Sequence, residues 1–176
     1  MRLVLFDSSR PGLHQGTVAG PRHEGAVDLL AAADRPTMVV THHNFQPTRV
    51  PRFWPPGIPA PESERFLDAV EAVSPGSLVT SGHTHRHRRR NRGRLVITEV
   101  GSPSDYPATW AGYVVHEGGV RQVVRRIEDP GIVRWSEQAR AAAFTTWGRW
   151  SPGRLGDRCF SWSWDGELVS APSDPR

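Results

Sequence analysis

The sequence predicts an α/β protein. Three observations carry that expectation. Short apolar runs at residues 2–6, 37–41 and 78–81 have the length of buried strands. Stretches with apolar residues at helical spacing separate them. Two of the runs, Thr37-Met38-Val39-Val40-Thr41 and Leu78-Val79-Thr80-Ser81, lead directly into histidines, and open α/β sheets place their sites at the carboxyl ends of strands.

The elements follow in order. Arg2-Leu3-Val4-Leu5-Phe6 is a buried-strand candidate, closed by the turn cluster Asp7-Ser8-Ser9-Arg10-Pro11-Gly12. Residues 22–33 carry Ala26, Val27, Leu29, Leu30 and Ala33 on one helical face, with Pro21 placed to start the helix and Asp34-Arg35-Pro36 to end it. After the strand to Thr41, residues 45–61 hold six prolines together with Phe45, Phe53 and Trp54, too proline-rich for regular structure and suited to a wall or lid. Residues 62–73 form the clearest helix, with Phe66, Leu67, Val70 and Val73 aligned and Ser74-Pro75-Gly76 breaking it. Strands are expected at 95–100, 113–116 and 120–127, the last two joined as a hairpin at Glu117-Gly118-Gly119. A final helix is expected over 132–147. The tail from Trp150 carries Trp150, Trp162 and Trp164, either capping the core or forming a contact patch.

Composition bounds the function. The 176 residues suit one domain, and 17 glycines with 16 prolines imply abundant loops. All 22 basic residues are arginine, and the net charge of +4 permits an anionic partner without requiring one. A single cysteine, Cys159, excludes an internal disulfide and argues against a thiolate zinc site. No signal-peptide pattern opens the chain and no apolar run reaches the ~18 residues of a membrane span. The expected setting is cytoplasmic, with no membrane partner.

His83 and His85 are the first chemical candidates. At i and i+2 of an extended strand end their side chains point to one side, with Cα atoms roughly 6.5–7 Å apart. They can grip one metal ion or each serve one of a pair. His42 and His43 follow another strand; alternation there puts one of them toward the site. The run Arg86-His87-Arg88-Arg89-Arg90-Asn91-Arg92-Gly93-Arg94 reads as a solvated hairpin loop, as phosphate-binding forks beside the metal, or as a nucleic-acid patch. The missing aromatic residues in the run count against nucleic acid. Arg86, directly after His85, is the arginine expected near substrate. Gly101-Ser102-Pro103-Ser104-Asp105-Tyr106-Pro107 can border the same cleft, and His14, His23 and His116 have no partner in sequence.

Val39-Val40-Thr41-His42-His43 and Ser81-Gly82-His83-Thr84-His85, with Gly101-Ser102-Pro103 after the following strand, resemble the last motifs of the calcineurin-like metallophosphoesterases. The likeness covers residues 2–127. It implies a layered β-sandwich with flanking helices, of the metallo-dependent phosphatase type. It implies metal ligation by His42, His83 and His85, with His43 on the substrate side, and divalent ions (Mn, Fe or Zn), two in the full-length enzyme. The implied activity is hydrolysis of a phosphomonoester or phosphodiester. The family's opening motifs, Asp-x-His, Gly-Asp and Gly-Asn-His followed by Asp or Glu, have no counterpart before His42. The expected organisation is thus the C-terminal half of such a domain over 1–129, with an unassigned helix and Trp-rich tail over 130–176, incomplete and weak or inactive alone. The alternative is a non-catalytic module that binds an anionic partner through the arginine loop.

Overall fold

The computed structural model describes residues 1–48 and 55–169. It is an α/β protein with a mixed five-strand sheet, flanking helices and a four-strand antiparallel sheet. The first sheet contains β1 (Arg2–Phe6), β2 (Thr37–Thr41), β3 (Leu78–Ser81), β4 (Arg88–Arg92) and β5 (Leu95–Glu99), in the order β1-β2-β3-β5-β4. All neighbours pair in parallel except β4, which runs antiparallel to β5. The second sheet holds β6 (Thr109–His116), β7 (Gly119–Arg126), β8 (Phe160–Ser163) and β9 (Leu168–Val169) in sequential order.

Helices cover one face of the first sheet. In α1 (Pro21–Ala31) and α2 (Ala60–Val73), proline stands in the first turn, where its missing N–H costs no hydrogen bond. Ala26, Leu30, Phe66, Leu67 and Val70 from these helices pack on Val4, Phe6, Val39, Val79, Leu95 and Ile97. The alternate residues Met38, Leu78 and Val96 face the second sheet and pack on Val120, Phe160 and Trp162. One strand thus serves two cores by its period of two, which is why these strands read as continuous apolar runs.

The expected helix at 132–147 is broken into α3 (Pro130–Ala139) and α4 (Thr146–Trp150), because Ala143, Phe144 and Thr145 all take positive φ between them. A short α5 (Leu155–Arg158) follows, and its Asp157 accepts from the backbone of Arg89. The tail then returns to the second sheet. Trp162 is buried and its indole N–H donates to the Gly76 carbonyl at 2.9 Å, the capping arrangement. Phe53 and Trp54 lie outside the described residues.

The arginine run is not a loop: Arg88–Arg92 is the edge strand β4. Arg88, Arg90 and Arg92 stand opposite Glu99, Ile97 and Leu95 on the helix side. Arg88 pairs with Glu99, Arg92 with Asp68 and Glu71, and Arg90 donates to the Phe45 carbonyl. The heads of Arg88 and Arg92 meet carboxylates and that of Arg90 a backbone carbonyl, while such stems can cover apolar surface. A charged edge of this kind also discourages further strand pairing.

Candidate metal centre

The parallel strands β1, β2, β3 and β5 end on the same side, and the chain deposits Ser8, His42-His43, His83-Thr84-His85 and Glu99 along that rim. The histidines lie beyond the strands that deliver them: β2 stops at Thr41 and β3 at Ser81. Neither strand alternation nor extended i, i+2 geometry therefore governs where they point. His42 and His43 both join the cluster, with ring centroids 4.9 Å apart. His83 and His85 adopt left-handed backbone, φ 67° and 52°, and diverge. Each such residue costs on the order of 1–2 kcal/mol, held by its surroundings.

His42, His43 and His83 form the cluster that can hold a metal ion, with one ligand nitrogen from each lying within 4.8 Å of the others. His43 is buried, His83 half-buried and His42 exposed. The His42 Nε2 to His83 Nδ1 distance is 3.1 Å. Two imidazoles on one tetrahedral zinc, with bonds of about 2.0–2.1 Å, would hold their nitrogens about 3.3 Å apart. The pair thus needs almost no movement to share an ion. His83 Nε2 lies 3.3 Å from the Pro56 carbonyl, an acceptor only, so Nε2 carries the proton and Nδ1 the lone pair a metal requires.

His43 is held more tightly. Its Nδ1 is 2.8 Å from the Ser8 hydroxyl, which in turn accepts from the His43 backbone N–H. Gly16 crosses over the ring so closely that a Cβ there would sit 2.4 Å from His43 Cγ. Burial, then His42, lowers the His43 pKa. Burial brings His83 down to about 4, with His43 and His42 contributing. Both rings are neutral near pH 7, the form that ligates metal.

His85 stands outside this cluster. Its Nδ1 meets Asp105 at 2.8 Å, and that hydrogen bond raises its pKa against the opposing effect of burial. Arg86 stacks its guanidinium on Trp150 of α4, 4.9 Å from the ring centre. Of the residues the sequence nominated, then, His42, His43 and His83 converge, while His85 and Arg86 turn to other partners. Ser8 and Glu99 are not conspicuous in the sequence, whereas Asp105 lies in the segment expected to border the cleft. Ser8 follows β1 directly, and the place of β1 beside β2 is the signal that could have found it.

No protein-family model matches this chain, and no curated protein matches it. Among the described residues, no helix is long and apolar enough to cross a membrane.

Proposed function

We propose that this chain carries part of the centre of a metal-dependent phosphoester hydrolase. The observation that carries the reading is the convergence of His42, His43 and His83 from two strand ends, with His83 in the tautomer that ligation requires. The layering of helices, five-strand sheet and four-strand sheet supports the resemblance to calcineurin-like metallophosphoesterases. A divalent ion held by His42, His43 and His83 would supply Lewis acidity to a phosphoryl oxygen. Imidazoles suit zinc and iron, and manganese would be favoured if carboxylates joined them.

The residues around the cluster have separable tasks. Ser8 and Gly16 fix the His43 ring, and Pro56 fixes the tautomer of His83. His85, anchored at Nδ1 by Asp105 and carrying its proton to higher pH than a free histidine, offers Nε2 to an ester oxygen as a proton donor. The resemblance instead gives His85 to a second ion. The cluster contains no carboxylate among the described residues, and three neutral ligands leave the charge of even one dication uncompensated. The chain by itself is therefore expected to hold one ion and to hydrolyse weakly or not at all. The alternative of an anion-binding arginine loop loses ground, since Arg88 and Arg92 are already paired with carboxylates within the chain.

The test is hydrolysis of an aryl phosphodiester with zinc, iron(II) or manganese, by this chain and by a version extended upstream in its reading frame. Metal-dependent turnover in the extended protein, lost in His83→Ala, supports the reading. Absence of turnover in both proteins with every metal contradicts it.

A further inference from the structure

The turn that separates His83 from His85 is held from beneath by a buried carboxylate. Thr84, between the two histidines, is 1% exposed, and Glu99 at the end of β5 is 2% exposed. The Thr84 hydroxyl donates to Glu99 Oε2 at 2.8 Å, and the Thr84 N–H donates to the Gly82 carbonyl at 2.8 Å. The other carboxylate oxygen, Oε1, receives the Arg88 guanidinium, which compensates the buried charge. The floor is firm as well. Val100 N–H donates to the Ser81 carbonyl at 2.8 Å, tying the end of β5 to the end of β3 just before the turn.

We propose that Glu99 is a positioning residue for the metal centre, acting through Thr84. Both histidines that flank Thr84 sit in left-handed backbone, a sparsely populated conformation for any residue with a Cβ. Fixing the residue between them to a rigid, charge-balanced strand end sends His83 toward His42 and His43 and leaves His85 for Asp105. Without the hydroxyl contact the turn can relax to ordinary backbone, and the two rings lose their divergence. This inference rests on the metal reading for its purpose but not for its geometry.

The experiment compares wild type, Thr84→Val and Thr84→Ser in two measurements. Zinc titration calorimetry gives affinity, and nitrogen-15 spectra of the histidine rings in zinc-free protein report tautomer and hydrogen bonding. Thr84→Val is expected to weaken zinc binding about 10–100-fold, the usual effect of losing an outer-shell partner. It should also move the His83 and His85 ring signals. Thr84→Ser, which keeps the hydroxyl, should stay within about threefold of wild type with unmoved signals. Thr98→Val removes a different buried hydroxyl, which donates to Thr80 between the sheets. It should lower stability to urea and leave zinc affinity and ring signals alone. If Thr84→Val does not fold, Thr84→Ala, with room for a water beside Glu99, takes its place. Unmoved ring signals in the hydroxyl-free variant, or a serine variant as impaired as valine, would overturn the proposal. If wild type itself takes up no zinc, the metal reading fails and the ring signals alone decide the clamp.

Discussion

His83 and His85 are two residues apart and serve different partners, and the reason is backbone conformation. Spacing in the sequence shows which residue types lie close together. It does not show that β3 ends at Ser81 or that both histidines take positive φ. The candidate residues were legible because imidazoles after apolar runs are chemically conspicuous. Their grouping was not, because it depends on Ser8, Pro56, Asp105 and Glu99 at distances of 15–35 residues along the chain. One consequence concerns His85. His85→Ala is expected to keep zinc stoichiometry while lowering turnover of the active protein about 100-fold or more, as loss of a proton donor does. His83→Ala should lose both. Equal loss of metal in the two variants would return His85 to the ligand set.

A second residue-scale prediction concerns acid. His87 is buried, with Nε2 at 2.8 Å from the Thr109 hydroxyl and Nδ1 accepting the Gly101 N–H at 3.2 Å. Burial lowers it to about 4, as it does His83. Between there and the ordinary value of 6.5, the unfolded chain binds protons that the folded chain refuses. Stability therefore rises with pH across that window and is lost as pH falls through it. His85 has the opposite sign, its contribution fading as pH rises through its raised value. His43 is lowered by burial as well, and three lowered histidines outweigh one raised, so the urea midpoint should be higher at pH 7 than at pH 5. His87→Gln should shrink the difference; a midpoint that does not change with pH would contradict this account.

At the scale of elements, apolar runs and breakers marked most strands and helices, and the arginine run misled. Charge density reads as solvent, yet Arg88, Arg90 and Arg92 lie on a strand because carboxylates from α2 and β5 and a backbone carbonyl await them. Those partners are distant in sequence and invisible to periodicity. Strand β8 was missed for a related reason. Its Phe160-Ser161-Trp162-Ser163 alternates correctly, but a four-residue segment among glycines and prolines gives no length signal. The structure makes β8 important, because Trp162 fills the space between the sheets and reaches Gly76. Trp162→Ala should destabilise the fold by about 3–5 kcal/mol in urea unfolding, the cost of emptying a buried aromatic site. A loss under about 1 kcal/mol would mean the tail does not close the core.

For the whole molecule, the α/β class was legible from the order of the runs, but the exposed flank was not. Leu3 and Leu5 are 57% and 78% exposed although they share a face with Met38 and Val40. They stand at the β1 edge of the first sheet, and β6 is an edge of the second. Between these edges opens an apolar cleft of about 550 Å³, lined by Leu3, Met38, Val40, Ala111, Tyr113 and Val115 among others. Among the described residues both edges lack a further strand, and such edges beside apolar surface favour association of chains. Sedimentation over a range of protein concentrations should show self-association, and Leu3→Lys with Leu5→Lys should raise the monomer fraction. A wild-type chain that remains monomeric at every concentration would contradict this.

The most direct test of the central claim is the zinc content of purified protein, wild type against His42→Ala and His83→Ala, with calorimetric titration of the stripped forms. The account predicts about one ion per wild-type chain and none retained by either variant. Wild-type protein that takes up no zinc, or variants that bind it as wild type does, would show that the three imidazoles are not a metal centre.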